Sequence, residues 1–228
     1  MQFKPNFDLL FCWKDAKKSK DFASNSAYIA IFKRDNKTLV YMCDAHWLNI
    51  SFNMVDMCFA DDFGIKPDVL IAEMENAGFE RKLGWSGYQN NTLAYALAVA
   101  TKKKIPVVLA DLSDEQMMRV LRVGFPDKEI TKDVLHQTLR AGPNKDEMCE
   151  YLNKYGRDRF MLENIAAALN KYDTVFAIFG GGHYEVQRLV LEDMMGKPEY
   201  ITRIKNMRGD FSDIKINPIR LCDFKLSE

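Results

Sequence analysis

The chain reads as an α/β protein, with a central, mixed but mainly parallel sheet flanked by helices and a site at the carboxyl ends of the strands. Three observations predict this. Short apolar runs rich in β-branched and aromatic residues, among them Leu39–Met42, Val69–Ala72, Ile105–Ala110 and Val175–Phe179, alternate with segments of helical spacing. Two of those runs, Leu39–Met42 and Val175–Phe179, lead through small or polar residues to a histidine and then to a helical pattern. No low-complexity stretch or linker divides the 228 residues, 47% of them hydrophobic, so residues 1–228 are expected to bury one core as a single domain.

Residues 1–26 are mixed and polar and read as an irregular lead-in. Ala27–Phe32 and Leu39–Met42 flank a segment whose Asp35-Asn36 suits a tight turn, which predicts a β-hairpin. The second strand delivers His46, and a helix is expected over 48–62, ended by Gly64. Val69–Ala72 is a strand that arrives at Glu73. Residues 76–91 carry three glycines, Trp85 and Tyr88 and read as a substrate loop. A helix over 92–103 ends in lysines, as the helix dipole prefers, and Ile105–Ala110 is a further buried strand. Ser113 caps the next helix, with Asp114 and Glu115 in its first turn. Residues 129–172 read as helical in two or three pieces, broken near Gly142-Pro143 and near Gly156. Val175–Phe179 then leads through Gly180, Gly181 and Gly182 to His183, after which a helix runs to Gly196. Segments 199–205 and 213–221 are expected to close the fold as short strands within residues 197–228.

Composition excludes several classes. The 32 basic residues balance 32 acidic ones, so nothing favours nucleic acid or an anionic membrane surface. No stretch approaches the ~20 apolar residues of a membrane span. Five cysteines without CxxC spacing fit neither a zinc finger nor a disulfide framework, and reduced thiols point to a cytoplasmic protein.

The chemistry-bearing residues gather at strand ends. His183 follows a buried strand, where open α/β sheets place ligand crevices, and the adjacent glycines permit close approach of a substrate to the backbone. His46 occupies the corresponding place after the earlier strand, with Asp44 two residues before it. Such a carboxylate fixes the imidazole tautomer and raises its basicity, although a turn aspartate can also be a simple cap. Glu73 and Glu75 alternate to one side of a strand exit, a candidate carboxylate pair. In RDRFMLEN, Arg157, Asp158, Glu163 and Asn164 lie within about two helical turns, where an exposed charged face is the competing account. His136 has no motif around it.

With these pieces in order, the chain resembles the superfamily that groups TraB and Tiki proteins with erythromycin esterases and the haem-binding ChaN proteins. The resemblance runs over roughly residues 38–196, through LVYMCDAHWLN, KPDVLIAEMEN, RDRFMLENIAAAL and TVFAIFGGGHYEVQ. The chain departs from that pattern before the first histidine, where it has Cys43-Asp44-Ala45, and an anchor of the Tiki kind is not expected. The resemblance implies a site of His46, Glu73, Arg157, Glu163 and His183, with Gly181, Gly182 and Tyr184 beside a bound group. It implies a hydrolase of ester or peptide bonds acting on a small molecule or peptide. In a metal-free form His46 is general base, Glu73 orients it and His183 stabilises oxyanion charge. In a metal form, His46, Glu73 and His183 bind zinc, manganese or cobalt. The alternatives are a ChaN-like protein with haem in the same crevice, Tyr184, Tyr88 or a histidine as axial ligand, and a scaffold without turnover. Two geometric expectations follow: His46 and His183 face one crevice, and Arg157 or Arg159 pairs with Glu73 or Glu163 there.

Overall fold

The computed structural model describes residues 2–13, 27–44, 49–60, 65–74, 92–201, 218–219 and 221–223. His46, Glu75, the loop 76–91 and most of the segments after residue 201 lie outside the described residues. The strands form one seven-stranded sheet in the order β6-β1-β2-β5-β3-β4-β7. Here β1 is Tyr28–Arg34, β2 Lys37–Asp44, β3 Val69–Ala72, β4 Val107–Leu109, β5 Thr174–Gly180, β6 Glu199–Ile201 and β7 Pro218–Ile219. Pairs β2/β5, β5/β3, β3/β4 and β4/β7 are parallel, whereas β1 runs antiparallel to both β2 and β6. The fold is therefore α/β with a mixed, mostly parallel sheet.

The expected hairpin forms, extended by a few residues on each side, and Asp35 supplies the positive φ (52°) that its two-residue turn requires. The helices are α1 Asn49–Phe59, α2 Thr92–Lys102, α3 Asp114–Gly124, α4 Lys132–Ala141, α5 Glu147–Leu152, α6 Asp158–Lys171 and α7 Gly181–Met195. Ser113 caps α3 as expected, and Gln116 reaches back to complete a capping box. Strand alternation divides the core cleanly. Tyr41, Cys43, Ile71, Ala177 and Phe179 face α6 and α7, while Val40, Met42, Leu70, Phe176 and Ile178 face α1 and α2. A smaller cluster, with Leu112, Leu121, Leu135 and Leu152, joins α3, α4 and α5. Among the described residues no helix is long and apolar enough to cross a membrane, and the five cysteines are free.

Two of the differences from the sequence reading bear on the site. Gly156 does not break the helix. It sits in a π-helical turn, Asn153–Arg157, through which α5 continues into α6. A Cβ on Gly156 would stand 3.1 Å from side-chain carbons of Leu112 and Val120, so the glycine lets this turn press against α3 and the end of β4. And α7 starts at Gly181, so His183 is a first-turn helix residue rather than part of a loop.

Candidate functional site

The topology creates the crevice. β5 lies between β2 and β3, yet the chain leaves β5 to one face, through α7, and leaves β2 and β3 to the other, through α1 and α2. At such a switch point the carboxyl ends of neighbouring strands are uncovered. Glu73 follows β3 directly, Asp111 lies two residues beyond β4, and Gly180 ends β5. The π turn delivers Arg157, and α6 opens with Asp158. Inserted turns of this kind recur at functional sites because the extra residue re-aims the side chains around it.

These groups form one buried network. Arg157 grips Asp111 with both arms of its fork, Nε to Oδ1 at 2.9 Å and Nη2 to Oδ2 at 2.7 Å. The same Nη2 donates to Glu73 Oε1 at 2.8 Å, and Nη1 donates to Asn153 Oδ1 at 3.1 Å. Glu73 Oε2 accepts the Gly180 N–H at 2.6 Å, which ties the β3 exit to the head of α7. His183 stands between two carboxylates: Nδ1 lies 2.8 Å from Asp158 Oδ1 and Nε2 lies 3.3 Å from Glu73 Oε1. Trp13 closes one side, its ring edge-on to His183 at 5.3 Å between centroids and its Nε1 donating to Asp158 Oδ2 at 3.4 Å.

Electrostatics follow from this packing. Burial alone would lower the His183 pKa, but the charges of Glu73 and Asp158 and their hydrogen bonds outweigh it and raise it to about 10. Burial alone would raise that of Glu73, but His183, Arg157 and the Gly180 N–H hold it well below the usual carboxylate range. At neutral pH His183 is thus an imidazolium and Glu73 a carboxylate. The bonds that His183 makes with Asp158, and Glu73 with Arg157 and the Gly180 N–H, run from 2.6 to 2.8 Å, whereas the contact between His183 and Glu73 is 3.3 Å. His183 Nε2–H is consequently the more weakly engaged of the two ring donors.

The structure brings together Glu73, Arg157 and His183 of the expected set, and adds Asp111, Asp158, Asn153 and Trp13. His46 lies outside the described residues; the strand before it ends at this edge, Asp44 pairing with Gly180 in register. Glu163, on the second turn of α6, is not among the partners of Arg157, because the π turn sends that guanidinium towards β3 and β4. Arg159 stacks between the Phe7 and Tyr155 rings, at 5.1 Å from each. Tyr184 corrects a second expectation. Neighbours on a helix point about 100° apart, so next to a site-facing His183 it turns into the core, against Tyr28, Phe32 and Tyr41, with its hydroxyl 2.8 Å from that of Tyr200. It is completely buried there and does not fit an axial ligand to haem. Nor do Glu73 and His183 fit a metal in this arrangement. The imidazole nitrogens both face carboxylates, the Glu73 oxygens both accept N–H donors, and a guanidinium stands against the oxygen a cation would take. Among the described residues no group of three His, Cys, Asp or Glu side chains is placed to hold one.

Gly181 faces Cys43, at ordinary contact distance, and Gly182 carries Trp13: a Cβ there would meet the indole ring at 2.4 Å. Gly182→Ala is expected to cost about 1–3 kcal/mol through overpacking. In a Trp13→Ala background the same change should cost far less, a coupling that urea denaturation of the four proteins would measure.

Fold and site define an α/β sandwich protein with a paired imidazolium–guanidinium centre at the carboxyl edge of its sheet. Compared with known proteins, the chain matches no family model, and neither a curated protein nor a solved structure gives a significant match.

Proposed function

We propose that the protein is a metal-independent hydrolase of ester or peptide bonds in a small molecule or peptide, of the kind its resemblance to erythromycin esterases and TraB/Tiki proteins implies. The observation that carries this reading is His183, held as an imidazolium by Asp158 behind it and Glu73 in front. An imidazolium in a buried, preorganised setting is a strong partner for the negative charge that develops on an attacked carbonyl oxygen. A positively charged His183 is not a base at neutral pH, so the base must come from elsewhere, and His46 is the histidine assigned to it. In this scheme His46 takes a proton from water as the oxygen attacks the acyl carbon. His183 Nε2–H donates to the oxyanion, and the leaving group departs with the proton that His46 returns. Arg157 keeps Glu73 ionised and in place. In this scheme Glu73 orients His183.

The test is hydrolysis of a panel of esters and peptides by purified protein. Wild type is expected to turn over at least one substrate with chelator present, and His46→Ala to be slower by about a hundredfold or more. His136→Ala is the control, since that side chain is half exposed on α4 and faces Asp114 at 3.6 Å, on the cluster of α3 and α4. Equal loss in both variants, or no turnover by wild type, would remove the assignment.

A further inference from the structure

We propose that Gln187, backed by Tyr41, is a positioning residue that fixes Asp158 and, through it, the ring of His183. This role rests on the reading of His183 as the group that meets the substrate oxygen. Gln187 is completely buried on α7, one turn beyond His183, and both side chains reach across to the same oxygen of Asp158. Its Nε2 donates to Asp158 Oδ1 at 2.7 Å, with Met161 Sδ as a second neighbour at 3.6 Å. Its Oε1 accepts from the Tyr41 hydroxyl at 3.1 Å. Tyr41 stands on β2, also completely buried.

The direction of this chain is dictated by chemistry. An ionised carboxylate only accepts, so the amide must turn its nitrogen to Asp158 and its oxygen to the one donor on the other side, the Tyr41 phenol. Trp13 occupies Oδ2, so both oxygens of Asp158 are bound and the carboxylate plane is set. That leaves Oδ1 aimed at His183 Nδ1, which keeps the proton on that nitrogen and Nε2 pointing at Glu73. Packing does not account for an amide here. A methionine or leucine would fill the same core volume without desolvating two polar atoms. The amide is explained by the carboxylate it orients.

The experiment uses Gln187→Met and Tyr41→Phe. The first keeps volume and deletes both hydrogen bonds; the second removes one oxygen and serves where the first folds poorly. With ¹⁵N-labelled histidine, the Nδ1–H proton of His183 is expected as a low-field signal, shielded from solvent exchange and absent from His183→Gln. In Gln187→Met this proton should exchange at least about tenfold faster or vanish, and Tyr41→Phe should move it in the same direction by less. Where turnover is measurable, kcat should fall about ten- to a hundredfold, the scale of misplacing a group that must meet the reacting atoms, with KM within about twofold. An unchanged proton signal in both folded variants, with only the melting temperature lowered, would show a structural staple between α6 and α7 and overturn the proposal. Because the proton signal is read without substrate, a wild type that hydrolyses nothing removes the proposed function and still leaves this positioning role decided.

Discussion

Replacing Arg157 by leucine is expected to remove about 3–5 kcal/mol of stability, the scale of breaking a buried ion pair from one side. Arg157 satisfies Asp111 through two bonds and Glu73 through a third, and the side chains of Asp111 and Glu73 are only 9% and 12% exposed. Without the guanidinium Asp111 loses both fork bonds, and Glu73 keeps His183 and the Gly180 N–H alone. Domain stabilities are about 5–15 kcal/mol, so this loss is a large share of the total. Arg157→Lys should recover a fraction, because a single ammonium cannot reproduce the fork on Asp111 together with bonds to Glu73 and Asn153. Arg157→Leu/Asp111→Leu should be more stable than Arg157→Leu, since it removes the carboxylate left without its partner. Urea denaturation at neutral pH reads all three. A loss below about 1 kcal/mol for Arg157→Leu would mark the network as a solvent-screened surface pair and defeat the claim.

The sheet was legible because each central strand is a short apolar run covered on both faces. Val69–Ala72 emerges with the bounds its sequence proposes. Glu73 and His183 were legible for a related reason: a charged or titratable residue just after such a run stands where the sheet opens. The same signal was present at Asp111, which follows Ile105–Ala110, yet the sequence reading did not single it out. Arg157 was visible as a candidate and its partner set only in part. Helical periodicity of 3.6 places Arg157, Asp158 and Glu163 within two turns of one helix, and the π turn that separates their directions has no periodic signature in the sequence. Trp13 and Asp158 meet His183 across 170 and 25 residues of chain, contacts that no local pattern encodes.

The stability of the protein is expected to fall on the alkaline side of about pH 6.5, and His183→Gln to flatten that limb. His183 titrates at 6.5 without its partners and at about 10 in the fold. A group raised in this way gives its full stabilisation below the unfolded value and loses it as pH rises through the folded one. Glu73 acts oppositely. Its folded value lies below the ordinary 4.5, so its contribution is complete above that pH and is lost as acid protonates it. Together they place the site's greatest contribution between roughly pH 4.5 and 6.5. Each pKa unit corresponds to about 1.4 kcal/mol, so the alkaline loss is on the order of 5 kcal/mol at most. Part of it is shared with Glu73, because one contact raises His183 and lowers its partner. Unfolding free energies of wild type and His183→Gln, measured by urea from pH 6 to pH 10, should converge as pH rises, because above the folded pKa the imidazole is neutral and no longer holds two carboxylates by charge. Parallel curves across that interval would mean that His183 is neutral in the fold. The imidazolium, and the oxyanion role built on it, would then both be wrong.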